Sequence, residues 1–193
     1  IPAWFAASGV MVNSLQVGFA RSGAANATVG LIAQGEVKQA ATIDSTPTTR
    51  DILRFNQFQG SIKKGGTALG NVVSAQLTYS NNLERIETIR SDGKIDGADP
   101  TVASLTGNLE VRFADTQLID AATNNTPLEL TFAYTIDATK RLTFIAHEVY
   151  LPKPKVSISG PGGIQATFEW QAAKNVAANK MLTVELLNDV TTY

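Results

Sequence analysis

The feature that most constrains this chain is a strict alternation of apolar and polar side chains that returns again and again. Leu15, Val17 and Phe19 are interleaved with Gln16 and Gly18. Val73, Ala75, Leu77 and Tyr79 are interleaved with Ser74, Gln76 and Thr78, and Leu128, Leu130, Phe132, Tyr134 and Ile136 with Glu129, Thr131, Ala133 and Thr135. A period of two places one set on a single face of an extended strand, whereas a helix would scatter it around its circumference. The same test predicts strands over 27–34, 105–113, 142–150, 164–170 and 181–187. Most neighbours are separated by turn chemistry such as Gly65-Gly66 and Gly160-Pro161-Gly162-Gly163, which joins antiparallel strands. One segment reads as a helix. Asp115 stands at its N-cap, Leu118, Ile119 and Ala122 form one face, and Asn124-Asn125 ends it. The fold class that follows is mainly β: an antiparallel sandwich or barrel, one flanking short α-helix and a long extended hairpin loop.

The chain has 193 residues, enough for a real core. Ser14–Ala20 echoes Asn108–Ala114, each followed by a loop and a second alternating strand. Together with the exposed, Thr- and Ala-rich connection over 38–51, the echo divides the chain into residues 1–50, the end of a truncated first module, and residues 51–193, a complete second one. The abrupt apolar start at Ile1-Pro2-Ala3-Trp4 carries the expectation of residues upstream.

Charge excludes several functions. Sixteen Lys and Arg are scattered among 17 Asp and Glu, for a net charge of −1. A duplex binder concentrates basic residues, because phosphate contacts dominate its affinity. No cysteine is present, which removes disulfides and thiolate metal sites. No run approaches the roughly 18 apolar residues of a membrane span. His147 is the single histidine, so a Ser-His-Asp site would have to use it, and no G-x-S-x-G is present. A structural role on a strand face with Thr143, Ile145 and Val149 is the simpler expectation. Asp92–Asp99 has the look of a calcium loop but places Lys94 at the third position and Ala103 at the twelfth, where that loop needs oxygen ligands. Gly65–Gly70 lacks the Lys and Ser/Thr of a phosphate loop. Sequons at Asn26 and Asn124 have no secretory context, and Trp4 and Trp170 read as core or interface anchors. No enzyme, cofactor or metal is expected.

What remains is a polar excursion between two strands, SNNLERIETIRSDGKIDGADPT over residues 80–101. It is longer than most hairpin loops, and long ordered loops tend to carry function. Having no chemistry of its own, it is expected to be an extended assembly arm that contacts another chain through Asn81, Asn82, Glu84, Arg85, Glu87, Arg90, Asp92, Lys94, Asp96 and Asp99.

The run from Gln76 to Ala122, with its Tyr79-Ser80-Asn81-Asn82-Leu83 segment, Asp-Gly turn, Gly97-Ala98-Asp99-Pro100 and helix, resembles the tail tube (major tail) proteins of long-tailed bacteriophages and prophages. The similarity extends through His147–Lys155, Gly160–Ala173 and Leu182–Val190, and Ser8–Val10 with Asn13–Gln16 also fits. The resemblance implies two packed antiparallel sheets with a flanking helix, and subunits that form rings and stack. Inner strands then close into one β-barrel around a lumen occupied first by a tape measure protein and afterwards by passing DNA, which is not specifically bound. It further implies a tail terminator protein as partner, no membrane, and a place in the virion tail after assembly in the host cytoplasm. A duplicated module would make the ring a trimer, an unduplicated one a hexamer. Family members usually carry a longer N-terminal part, which again points upstream of Ile1. The rival expectation is a β-sandwich adhesin or carbohydrate-binding tail domain, which needs clustered exposed aromatics in a chain where aromatics are only 7%.

Overall fold

The computed structural model describes residues 3–49, 52–112, 115–154 and 164–190. The turn expected at 160–163 and the last alternating position of one strand, Phe113, lie outside them. The strands are β1 (Trp4–Ser8), β2 (Met11–Phe19), β3 (Ala27–Ile32), β4 (Gly35–Gln39), β5 (Gly60–Lys64), β6 (Thr67–Ala68), β7 (Val72–Ser80), β8 (Leu83–Ile86), β9 (Gly97–Pro100), β10 (Ser104–Arg112), β11 (Leu128–Asp137), β12 (Lys140–Tyr150), β13 (Gln165–Ala172) and β14 (Leu182–Leu187). Among the described residues one helix, α1, spans Gln117–Thr123, and a single 3-10 turn spans Gln57–Gln59. The fold is mainly β with antiparallel sheets and one helix, as the alternation predicts.

Two compact units are built from interleaved stretches of chain. The first takes Ile1–Leu15, Thr28–Leu53 and Tyr79–Ala103, and the second Gln16–Ala27, Arg54–Thr78 and Ser104–Tyr193. In the second, the strand order runs from the end of β2 through β7, β10, β13, β12, β11 and β5 to β6. The long strand β12 meets three partners. Along one side Leu130 to Asp137 of β11 face it. On the other, Val149 and Tyr150 pair with the end of β13, while 141–146 pair with β14. Two different strands along one side of β12 mean that the sheet divides there, which is how a sandwich turns its corner.

The sandwich interior is aromatic. Phe19 stacks on Tyr134 with centroids 4.7 Å apart and touches Phe132 at 5.3 Å and Phe144 edge-on at 6.5 Å. Phe132 in turn stacks on Trp170 at 5.9 Å. Leu77, Leu105, Leu109, Leu130 and Val149 are fully buried around them. Each such side chain contributes about 1.5–3 kcal/mol by leaving water. Trp170 is therefore a core anchor, as expected, whereas Trp4, Phe5 and Phe58 are exposed.

Within this core lies one polar knot. Tyr134 Oη is 2.5 Å from the Gly18 carbonyl and 2.8 Å from Gln57 Oε1. Gln57 Nε2 also donates to the Gly18 carbonyl, at 3.2 Å, and Gln57 Oε1 accepts from the Ala20 N–H at 3.0 Å. The 3-10 turn exists to deliver Gln57 here. Its own start is closed by Asn56, whose N–H donates to Gln59 Oε1 at 2.9 Å. Nothing in the local sequence of Gln57 announces burial, since its partners lie 37 to 77 residues away.

Several local expectations shift. Gly65 and Gly66 have φ of +51° and +83°, the left-handed pair a tight β5–β6 hairpin requires. The helix begins one residue late: Thr116 takes the N-cap position, and Asp115 Oδ1 accepts the Gln117 N–H at 3.0 Å. Asn125, with φ of +50°, closes its far end. The connection expected from Lys38 onward starts later, because Gly35–Gln39 pairs with Trp4–Ser8. That partner is some thirty residues upstream, beyond the reach of local pattern.

Gly107 is a test of the core. It pairs with Trp170 across β10 and β13, and a Cβ there would collide with the Gln76 carbonyl oxygen and the indole. Gly107→Ala should destabilise the protein by about 1–3 kcal/mol, the usual cost of overpacking, seen as a lower urea midpoint at unchanged slope. Tyr134 gives a second test. Burial pushes its phenol up to about 12, with the Gln57 contact acting the other way. Neutral Tyr134 thus stabilises the fold fully below the ordinary value of 10, and that contribution is lost as pH rises through about 12. Tyr134→Phe should flatten the loss of stability between pH 10 and 12.

Candidate functional site

The arm over residues 80–101 belongs to the first unit. Its start is fixed by side-chain amides, because Asn82 has φ of +48° and so breaks the run of β7. The Asn81 N–H donates to the Asn13 carbonyl at 2.8 Å, and Asn81 Nδ2 to the Val12 carbonyl at 2.9 Å. The Leu83 N–H donates to Asn13 Oδ1 at 2.9 Å. Asn82 Nδ2 reaches the Val102 carbonyl at 2.8 Å, while Thr101 Oγ1 donates to the Asn82 carbonyl at 2.6 Å. Both ends of the arm are therefore tied together at its base.

From this base β8 and β9 run antiparallel, Leu83 opposite Pro100 and Ile86 opposite Gly97. The extended conformation expected of the arm is a strand over Leu83–Ile86. Asp96-Gly97 and Pro100, which as Asp-Gly and proline punctuation would by themselves turn the chain, lie instead at and within β9. Pairing with β8 overrides local turn preference, and proline is tolerated because it ends an outer strand. Only Asp92-Gly93 turns the chain, with Gly93 at φ of +67°.

The tip is held by charge. Arg90 Nε and Nη2 each lie 3.0 Å from an Asp92 oxygen, and Arg90 Nη1 lies 2.7 Å from Asp96 Oδ1. A guanidinium suits this because its planar fork satisfies two carboxylates at once. Asp92 Oδ1 also accepts the Lys94 N–H at 3.2 Å. The Arg90 hydrogen bond, followed by that from Lys94, lowers the Asp92 carboxyl from 3.8 to about 2. The Arg90 guanidinium is raised in turn, first by its hydrogen bond to Asp92. Gln34 anchors the tip further: its Nε2 donates to the Asp96 carbonyl at 2.7 Å and its carbonyl accepts the Ile95 N–H at 3.2 Å. The strand expected over 27–34 ends at Ile32, which frees Gln34 for this anchor, and no spacing in the sequence marks it.

The ten residues expected in the arm thus separate into two sets. Asn81, Asn82, Arg90, Asp92 and Asp96 shape the arm itself. Glu84, Arg85, Glu87 and Asp99 are exposed and form no ion pair among the described residues, as is also true of the half-buried Lys94. Glu84 stands directly opposite Asp99, an arrangement that like charges disfavour. Ile89 is completely exposed at the tip, and Val102 nearly so.

In the second unit His147 has partners that its sequence context did not suggest. Its Nε2 lies 2.7 Å from Thr183 Oγ1 and its Nδ1 3.5 Å from Glu129 Oε2. The three residues come from β11, β12 and β14 and cross-link the strands side by side. The outward positions of β7, β10 and β13 that line a shallow depression over Gly107 are polar: Gln76, Thr78, Thr106, Asn108, Glu169 and Gln171.

Replacing Arg90 by Ala should return the Asp92 carboxyl to the ordinary aspartate range in an NMR titration. In the unaltered protein the clamp is complete above about pH 4 and is lost as pH falls through about 2. Amide exchange at the arm tip should accelerate over that window, and in Arg90→Ala it should be fast throughout.

A protein-family model described as phage tail tube protein matches residues 2–172 of the chain. Among curated proteins none matches.

Proposed function

The chain belongs to the phage tail tube protein family, and on that premise we propose that it closes into rings, that the rings stack, and that their lumen holds a tape measure protein first and conducts DNA afterwards. Membership makes it a structural component of the virion tail that assembles with copies of itself into a tube. The single observation that carries the proposal is the family match, spanning residues 2–172 of a mainly β chain with antiparallel sheets.

Two features support the finer picture. Sheet edges left open by one copy must be covered, and closure through neighbours covers them. The polar face built from Gln76, Thr78, Thr106, Asn108, Glu169 and Gln171 offers hydroxyls, amides and a carboxylate without a lysine or arginine. DNA affinity rises with phosphates neutralised, so such a wall lets DNA pass without holding it. The arm is the contact to a neighbouring subunit or to the next ring. Arg90, Asp92 and Asp96 stiffen it, and Glu84, Arg85, Glu87, Lys94, Asp99 and Ile89 meet the partner. A tail terminator protein caps the growing tube, assembly takes place in the host cytoplasm, and the protein has no enzymatic role. Residues 1–50 are the end of a truncated first module plus a linker, and residues 51–193 are a complete second module.

Negative-stain microscopy of the purified protein with its tail partners should show rings or tubes, and a protein that stays monomeric at every concentration overturns the proposal. Deleting Ser91–Asp99 should leave a folded protein that no longer polymerises, and unimpaired tubes would remove the arm from assembly. The mass of an isolated ring decides the duplication: three chains support it, six count against it.

A further inference from the structure

We infer that Asp92-Gly93, at the tip of the arm, is a site of spontaneous isoaspartate formation, and that Arg90 is the group that restrains it. The inference goes beyond the tube reading and stands without it, because it concerns the chemistry of one peptide bond.

The arm holds two Asp-Gly pairs, 92–93 and 96–97. In either, the glycine main-chain nitrogen can attack the aspartate Cγ. A C–N bond forms, the carboxyl loses an oxygen as water, and a cyclic succinimide results. Water then adds back. Addition at the main-chain carbonyl of the aspartate breaks the original peptide bond. The chain then runs through Cβ and Cγ and leaves a free α-carboxylate. Water is lost and regained, so the net change is an isomerisation that needs no oxidant, reductant or enzyme. Glycine favours the attack because no Cβ shields its nitrogen.

The fold separates the two pairs. Asp92 and Gly93 are both exposed, Gly93 has φ of +67°, and a Cβ built on it would stand in open space. Asp96-Gly97 is pinned through its main chain. The Asp96 N–H donates to the Ile86 carbonyl at 2.9 Å, the Asp96 carbonyl accepts Gln34 Nε2 at 2.7 Å, and Gly97 pairs with Ile86. Closing a succinimide reorients the peptide between the two residues, which here means breaking those bonds.

At 92–93 the hold is on the side chain instead. Arg90 Nε and Nη2 each meet one Asp92 oxygen at 3.0 Å, and the Lys94 N–H donates to Oδ1 at 3.2 Å. Such bonds favour the ionised carboxylate, whereas a carboxyl that gives up its oxygen as water reacts in its neutral form. An isoaspartate would also undo the clamp. It lengthens the main chain by one methylene and moves the carboxylate onto Cα, away from the Arg90 fork.

The test is peptide mapping of the whole chain after prolonged warm storage at neutral pH. Cleavage after lysine parts the two pairs, since Lys94 lies between them. Isoaspartate should accumulate at Asp92 and be absent at Asp96, while storage in urea should produce it at both. Arg90→Ala should speed the reaction at Asp92 on the order of tenfold, the change that one unit of carboxyl pKa makes in the neutral fraction. Asp96 should stay unreacted in that variant, although it loses its own Arg90 contact. Asp92→Glu, which keeps the carboxylate but would need a larger ring, should give none at that position. Equal isoaspartate at Asp92 and Asp96 in the folded protein, an unchanged rate in Arg90→Ala, or none at Asp92 in either protein overturns the inference. Each result is read on the isolated chain, so a protein that forms no tubes removes the tube reading and leaves this one intact.

Discussion

The second unit depends on one contact above the rest, the stacking of Phe19 on Tyr134 over a hydrogen-bonded Gln57. Strand faces that merely alternate apolar and polar residues agree on which side is inward but not on which strand lies against which. The Tyr134 hydroxyl settles that. It must leave water to let its ring pack, and an unpaired buried hydroxyl costs roughly 1–3 kcal/mol. Only the arrangement that brings Gly18 and Gln57 to it avoids the cost. The carbonyl of Gly18 lies one residue before Phe19, so the hydrogen bond and the ring stack reinforce the same placement. From there Phe132 extends the aromatic line to Trp170, and Gly107 makes room for the indole by carrying no side chain at all.

What the sequence displays and what it conceals divide along the range of the interaction involved. The faces of β2, β7, β10, β11 and β13 are visible from alternation alone, because burial of one face is a property each strand shows by itself. The Gly65-Gly66 hairpin is visible because two left-handed residues in a row are a local need. β4 is hidden, since Gly35–Gln39 becomes a strand only through Trp4–Ser8. β9 is hidden for the opposite reason: strong local punctuation at Asp96-Gly97 and Pro100 is overridden by pairing with β8. Gln57, Gln34 and the neighbours of His147 are hidden altogether. A polar residue becomes structural through partners tens of residues away, and no spacing rule marks it.

The arm shows a similar division in its charges. Sequence alone treats Arg90, Asp92 and Glu87 as equivalent members of a charged loop. In the structure Arg90 is spent on two carboxylates of its own chain. An exposed ion pair of this sort adds little to global stability, but it lowers the number of conformations the tip can take. A loop whose shape is already fixed loses less entropy when it meets a partner, so its recognition residues bind more tightly for the same contacts. Under the assembly proposal, shape and contact are divided between neighbouring residues of one hairpin.

A structural subunit must reconcile two demands that conflict. It has to stay soluble as a single copy, yet present edges on which another copy can add. Net charge is of little help at −1, so solubility has to come from the distribution of polar groups. The outward faces of β7, β10 and β13 supply it with amides, hydroxyls and carboxylates. The open edges do not share that protection. β3 carries no charge and β14 carries one, Glu185, directed to the face opposite Val184 and Leu186. Exposed apolar side chains are spread along the chain, from Phe5 and Phe58 to Ile89, Val184 and Leu186, and under the tube proposal a second copy covers part of that surface. Side-chain burial alone would tolerate many relative positions of the two copies. Main-chain pairing permits few, because a slip of one residue turns Val29 and Leu31 to the wrong face. In the proposed ring, joining through strands rather than through a smooth apolar patch would fix the angle between neighbours at the constant value that closure requires.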